Sequence, residues 1–141
     1  MLDKFFKKTK KITPNNEIIL ISSLLIHAAK IDENYTELER NIIKKSIMDL
    51  NRVDQHEASE ILKLAEQKEE QSNQIVEFTK EVKKYSIEFR LKIIEIIWKI
   101  VYSDGASDNY ESNLIRRICG LLYVSDKDNG IIKDKVRGTI K

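Results

Sequence analysis

The side chains of this chain that could do chemistry are acids in two short turns. Asp104 is followed by Asp108 and Glu111, and earlier in the chain Asp32 is followed by Glu39. Carboxylate oxygens are the ligands that hard cations such as Ca²⁺ and Mg²⁺ prefer, whereas a transition metal would favour His or Cys. If the two turns lie close together, these five acids form an oxygen-only site for a divalent cation. The pattern therefore makes all five candidate metal ligands.

Helix capping explains part of this acidic pattern. Asp108 and Glu111 have the spacing of a capping box, in which two side chains satisfy free backbone N–H groups at the start of a helix. Asp54 and Glu57 have the same spacing far from either turn. The D-x-x-E spacing alone is therefore weak evidence for a metal site.

Capping does not explain Asp32 and Asp104, which are predicted to lie at the C-terminal ends of helices. The partial charge there is already negative, so each acid should cost about 0.3–1 kcal/mol without a positive neighbour. A bound cation would supply the missing positive charge. The alternative is that Lys or Arg side chains neutralise the two acids.

The two turns belong to an internal repeat. Sliding the sequence by 72 residues aligns Asp32 with Asp104 and Glu39 with Glu111. The same shift aligns apolar positions on both sides of each turn, namely Ile26 with Trp98, Ala28 with Ile100, Ala29 with Val101, Ile42 with Leu114, Ile43 with Ile115 and Leu50 with Leu122. Apolar residues at helical spacing on either side of a turn predict two helices joined by that turn. We therefore expect two related helix-turn-helix units.

The composition predicts a single all-α domain. The chain has 141 residues with only one Pro and four Gly, and 41% of its residues are apolar against 34% charged. Few residues that break helices and an apolar fraction of this size favour a compact helical domain. We expect about seven or eight helices over residues 1–141, with the two helices that precede the acidic turns at the centre of the core.

Three further expectations concern the helices around the turns. The first central helix is predicted over residues 14–31, and His27 should lie on its exposed sector because it aligns with Lys99. Residues 66–74 contain no large apolar side chain, which predicts a solvated helix end and connection. A last, short helix is expected after Ser125.

Charge and cysteine content exclude some functional classes. Lys and Arg total 25 against 23 for Asp and Glu, giving a formal net charge of +2, so nucleic-acid binding is not favoured. Cys119 is the only cysteine, which excludes an internal disulfide and a cysteine-based zinc site. It fits a reducing, cytoplasmic compartment. We expect Cys119 to be a small apolar residue of the core rather than a reactive thiol.

The N-terminal segment is basic and partly apolar. Residues 1–11 contain five lysines, and Leu2, Phe5 and Phe6 could lie on one face of a helix. Such a face predicts either peripheral contact with an anionic membrane or, more simply, a short helix packed on the domain. The longest apolar run, residues 18–26, is far shorter than the roughly 20 residues that cross a bilayer.

The sequence resembles the tellurite-resistance TerB-like proteins. The residues that carry this resemblance are the two acidic turns, the segments 78–90 and 98–111, Ile115-Arg-Arg117, and residues 121–126. The resemblance is looser in the first half, where Glu33 and Thr36 stand in place of the family's usual Gly and Asp. It implies an all-helical domain of two related halves, with acidic turns proposed to bind divalent cations. It also implies association with stress-response complexes at the inner face of the membrane and no established catalytic activity.

These observations predict a non-enzymatic accessory module. It would bind Ca²⁺ or Mg²⁺ at the paired acidic turns and dock protein partners, with no small-molecule substrate. The alternative is a protein-binding scaffold that needs no metal. An enzyme is not favoured, because neither the carboxylates nor the two histidines, His27 and His56, form a recognisable acid–base pair or activated nucleophile.

Overall fold

The computed structural model describes residues 16–31, 35–72, 74–104 and 109–139, with the backbone alone described at 104 and 109–111. Within these ranges the regular structure is helical throughout and contains no strand. The helices are α1 (Asn16–Ala29), α2 (Glu37–Asn51), α3 (Gln55–Gln71), α4 (Ile75–Val82), α5 (Ile87–Val101), the 3₁₀ turn Tyr102–Asp104, α6 (Asn109–Leu121) and α7 (Asp126–Thr139). The predicted all-α fold is confirmed.

Helix α1 is the centre of the first half of the core. It packs against α2, α3, α4, α5 and α6, and Leu24, Leu25 and Ile26 are completely buried. Even its serines are inside, where Ser23 donates hydrogen bonds to the carbonyls of Ile19 and Ala65 at 2.7 and 3.2 Å. The apolar residues on most sides of this helix thus produce the buried position that the sequence predicts.

Helix α5 has the same role in the second half. It packs against α1, α2, α6 and α7, and its isoleucines fill the core between them. Trp98 is only 1% exposed, and its indole Nε1 donates a 2.9 Å hydrogen bond to Asn129 Oδ1 on α7. Burial of these large side chains, at roughly 1.5–3 kcal/mol each, makes α1 and α5 the main apolar support of the domain.

The repeat extends to a third helix in each unit. The three helices α1, α2 and α3 contact one another pairwise, and so do α5, α6 and α7. Arg52 and Tyr123 both have left-handed backbone angles, with φ of 54° and 58°. Two residues later Asp54 caps α3 and Ser125 caps α7, with hydrogen bonds of 2.8 and 3.1 Å. The expectation of a short last helix is wrong, because α7 has 14 residues.

Helix α4 connects the two units and packs on α1 and α6. The chain breaks at Tyr85 and Ser86, where Ser86 is the N-cap of α5 and its Oγ accepts a 3.2 Å hydrogen bond from the Phe89 N–H. The predicted helix start at Pro14 and the interpretations of residues 1–11 lie outside the described residues.

Cys119 lies in the core as expected. Its side chain is 1% exposed on α6. Burial, together with the charge of Asp126, raises the pKa of the thiol to about 12. The residue therefore has the environment of an apolar packing residue rather than of a nucleophile.

Candidate metal centre at the acidic turns

The second acidic turn lies between two helices that contact each other. After α5 the chain makes the 3₁₀ turn that ends at Asp104, and α6 begins at Asn109. Ser103 Oγ donates a 2.7 Å hydrogen bond to the Ile100 carbonyl, one of the last carbonyls of α5. The backbone thus places Asp104 at a helical C-terminus, as the sequence predicts, and Glu111 in the first turn of α6. Asp108 lies outside the described residues.

The first acidic turn is described on its C-terminal side only, and Asp32 lies outside the described residues. Glu39 is 4% exposed and completes a capping box with Thr36. Its Oε1 accepts a 2.9 Å hydrogen bond from the Thr36 N–H, and its own N–H donates to Thr36 Oγ1 at 3.1 Å. Glu39 thus caps the start of α2, whereas metal ligation by Glu39 stays a prediction.

Among the side chains that the structure describes, no group of three His, Cys, Asp or Glu is arranged to hold a metal ion. Of the five predicted ligands, only Glu39 has a described side chain. The other four, Asp32, Asp104, Asp108 and Glu111, stay predicted ligands. The described surroundings show how the turns are held and which charges lie beside them.

On its N-terminal side the first turn is held by α3 through Glu69. Lys30 Nζ donates a 2.8 Å hydrogen bond to Glu69 Oε1, and His27 Nδ1 lies 3.2 Å from Oε2 of the same carboxylate. The Glu69 side chain is only 10% exposed. The His27 side chain is 29% exposed, and His27 is the one residue of positions 20–29 that is not buried, in agreement with the expected exposed sector. The Glu69 carboxylate is its polar partner there.

On its C-terminal side the same turn is held by Glu66. Tyr35 Oη donates a 2.7 Å hydrogen bond to Glu66 Oε2, and Arg40 forms a forked pair with both carboxylate oxygens at 2.6 and 3.2 Å. Burial alone would raise the pKa of Glu66, but the hydrogen bonds from Arg40 and Tyr35 and the nearby cations lower it below its ordinary value. Burial and the Glu66 carboxylate raise the pKa of the Tyr35 phenol. Glu66 is therefore a bound carboxylate at neutral pH.

We call the contact between Tyr35 and Glu66 the Tyr35–Glu66 anchor. A cavity of about 480 Å³ lies beside it. Its lining combines the flanks of the first turn with one face of α3, namely Lys30, Tyr35, Arg40, Lys63, Glu66, Gln67 and Glu70. The lining mixes both signs of charge, and its cations Lys30 and Arg40 are already paired with acids. The cavity therefore shows no preference for a ligand of one charge.

Glu66 and Glu69 are not among the residues predicted to form the site. Residues 66–74 do form a helix end and connection as expected, since α3 ends at Gln71, but these two acids are not solvated, because both bind side chains that flank the first turn. A signal was present in the helical spacing. Leu62 and Ala65 are buried, and positions three and four residues further along share their face of the helix. Acids on that face have a protein partner more often than acids on a solvated face.

At the second turn the basic residue of α5 that is nearest in sequence, Lys99, also has an acid partner. Lys99, in the last turn of α5, lies 3.5 Å from Glu95 Oε2, and Lys135 of α7 lies 3.5 Å from Oε1. Lys99 is the repeat equivalent of His27, which binds Glu69. In both units, then, a basic residue that precedes the acidic turn is bound to a carboxylate elsewhere.

The helical fold agrees with a comparison against protein families. The family model described as tellurite resistance protein TerB matches residues 18–134. The chain belongs to the TerB family. No curated protein and no solved structure gives a significant match. The TerB match begins inside α1 and ends inside α7, so it includes both three-helix units.

Across the described part of this TerB-family chain, no helix is both long and apolar enough to span a membrane.

Proposed function

We propose that this TerB-family chain is a non-enzymatic accessory module that binds Ca²⁺ or Mg²⁺ at its paired acidic turns. The observation that carries the proposal is the position of Asp104 at the end of the 3₁₀ turn that continues α5. The carbonyls at a helix C-terminus carry a partial negative charge, and an acid at this position adds to it. A cation between Asp104 and the start of α6 would relieve that repulsion.

The described ion pairs support this proposal against neutralisation by the basic residues that flank the turns in sequence. Beside the first turn, Lys30 is bound to Glu69 and Arg40 to Glu66. Beside the second, Lys99 is bound to Glu95. These basic side chains already form ion pairs with acids of α3 and α5. A hard cation remains the partner that suits an oxygen-only ligand set.

The module would act by docking other proteins of a stress-response complex at the inner face of the membrane. Cation binding would fix the two turns and so the surface that they present. No acid–base pair or activated nucleophile is needed for this function. If docking survives a chelator and is lost on charge reversal at the turns, the chain is instead a scaffold that needs no metal.

The test is a titration of the chelator-treated full chain with Ca²⁺ and, separately, Mg²⁺. A ligand at about 100 times its Kd stabilises the folded state by about 2.7 kcal/mol. For a chain of this size that corresponds to a rise in Tm of roughly 10 °C. Amide NMR should show shifts at the two turns, and Glu111→Gln should reduce both effects.

Asp54→Asn is the matched control for this titration. Asp54 caps α3 with a 2.8 Å hydrogen bond from the Glu57 N–H and lies outside both acidic turns. The variant should lose some stability but keep the full response to the ion. No change in Tm or amide shifts at millimolar ion would contradict the proposal.

A further inference from the structure

The Glu81 carboxylate is buried with one oxygen left without a hydrogen bond. Glu81 lies on α4, its side chain is 8% exposed, and Lys84 Nζ donates to Oε1 at 3.2 Å. Within the described part of the chain, buried Oε2 has no hydrogen-bond partner. Buried polar atoms nearly always have a partner, because an unpaired one loses its hydration without replacement. Glu81 Oε2 therefore indicates a donor that comes from elsewhere.

Tyr85, four residues after Glu81 in the sequence, contacts a second acid and a second aromatic ring. Tyr85 Oη donates a 3.2 Å hydrogen bond to Glu17 Oε1 on α1. The Tyr85 ring stacks on Phe89 with 4.6 Å between the ring centroids. Burial, then Glu17, then the charge of Glu81 raise the pKa of Tyr85 to about 12. We call Glu17, Glu81, Tyr85 and Phe89 the Glu81 surface.

We propose that residues 1–11 of the same chain dock on the Glu81 surface. One of their lysines donates to Glu81 Oε2, and their Phe pair covers the stacked aromatic rings. The proposed occupant is therefore the N-terminal segment of the same chain rather than a second protein. This inference does not depend on cation binding at the acidic turns.

The first argument for this occupant is its distance along the chain. Glu17 is the second residue of α1, so the chain enters the domain at the Glu81 surface. Residues 12–15 separate this point from the basic segment and span about 14 Å when extended. Residues 1–11 can therefore reach every member of the surface.

The second argument is complementary chemistry. Residues 1–11 carry five lysines against the single acid Asp3, together with Leu2, Phe5 and Phe6. The surface contains two carboxylates and two partly exposed rings. Lys84 is 62% exposed and binds only the other Glu81 oxygen. A lysine on a flexible stem can bury its methylenes on the rings while its ammonium group reaches the acid.

The test is zero-length carbodiimide crosslinking of the full chain, with the products mapped by mass spectrometry. We expect a lysine of residues 1–11 to become joined to Glu81 or Glu17. Proton NOEs should connect the rings of Phe5 or Phe6 with those of Tyr85 or Phe89. Glu81→Gln should abolish the crosslink at position 81 and weaken the NOEs.

Glu77→Gln is the matched control, one turn earlier on α4. Glu77 is bound to Lys68 at 3.1 Å and is 45% exposed, so its loss should leave the contacts of residues 1–11 unchanged. Equal loss of the NOEs in both variants would contradict a specific role for Glu81.

Two further measurements separate the other possible occupants. Crosslinking an equal mixture of ¹⁴N and ¹⁵N chains should give isotopically pure products, and mixed products would mean that a second copy supplies the lysine. Vesicles containing phosphatidylserine should bind Glu81→Gln more than the unchanged chain, because the segment is released. Random-coil shifts for residues 1–11 with equal vesicle binding by both proteins would overturn the proposal in favour of membrane contact.

Discussion

Tyr35 Oη donates a 2.7 Å hydrogen bond to Glu66 Oε2 across 31 residues of sequence. Tyr35 directly follows the first acidic turn, and Lys30, shortly before that turn, is bound to Glu69 one helical turn further along α3. Helix α3 therefore holds both ends of the first turn through two carboxylates. The geometry of this turn depends on a helix that contributes none of its predicted metal ligands.

The Tyr35–Glu66 anchor should stabilise the domain. We expect Glu66→Gln to lower the free energy of unfolding by about 1.5–3 kcal/mol and Tyr35→Phe by about 0.5–1.5 kcal/mol, because the first removes charged hydrogen bonds. Urea unfolding of both variants and the double variant measures this. The double variant should lose less than the sum, whereas strict additivity would show that the two side chains are not coupled. Glu70→Gln, an exposed acid on the same helix, is the control.

The Tyr35–Glu66 anchor should make the free energy of unfolding depend on pH in the acidic range. The folded-state pKa of Glu66 lies below the ordinary 4.5, because the hydrogen bonds from Arg40 and Tyr35 outweigh the effect of burial. Its stabilising contribution is therefore complete above pH 4.5 and is lost as pH falls through the folded-state pKa. Unfolding free energies of the wild type and Glu66→Gln should converge in acid. A constant difference between them down to about pH 3 would contradict this assignment.

Asp104→Asn should have opposite effects without and with the ion. In chelator the variant should be more stable than the wild type by about 0.3–1 kcal/mol, because a negative charge at a helix C-terminus has been removed. In millimolar Ca²⁺ the order should reverse. Melting curves of both proteins in the two buffers decide this. A variant less stable than the wild type in both buffers would point to a structural role for Asp104.

Cys119 should be unreactive in the folded protein. Its side chain is 1% exposed and burial raises the pKa of its thiol to about 12, so very little thiolate exists at neutral pH. A chromogenic disulfide reagent should react with it in urea and hardly at all in native buffer. Equal rates in the two solvents would show that α6 opens readily around this residue.

Local patterns of this fold could be predicted from the sequence, whereas its long-range polar contacts could not. The capping box of Thr36 and Glu39 depends on four consecutive residues, so its spacing is sufficient. The carboxylates of Glu66 and Glu69 find partners only when α3 packs on α1 and α2, which no local pattern specifies.

The 72-residue shift does not align the third helices of the two units, because the register of the repeat changes by one residue before them. The 72-residue shift aligns Asp32 with Asp104, but the left-handed residues Arg52 and Tyr123 are one residue closer than that shift. Apolar positions beyond them therefore fall out of alignment. Gly130 and Gly138 weaken the helical pattern of α7 further, because glycine has low helix propensity.

The bond between Trp98 and Asn129 gives the protein an optical reporter of its own. Trp98 is the only tryptophan, its ring lies 5.5 Å from that of Tyr102, and the Lys133 ammonium group lies 5.2 Å from the indole. Asn129 and Lys133 both belong to α7. The emission spectrum of a single chromophore therefore reads out whether the last helix is seated on α5, in a protein that carries no added dye.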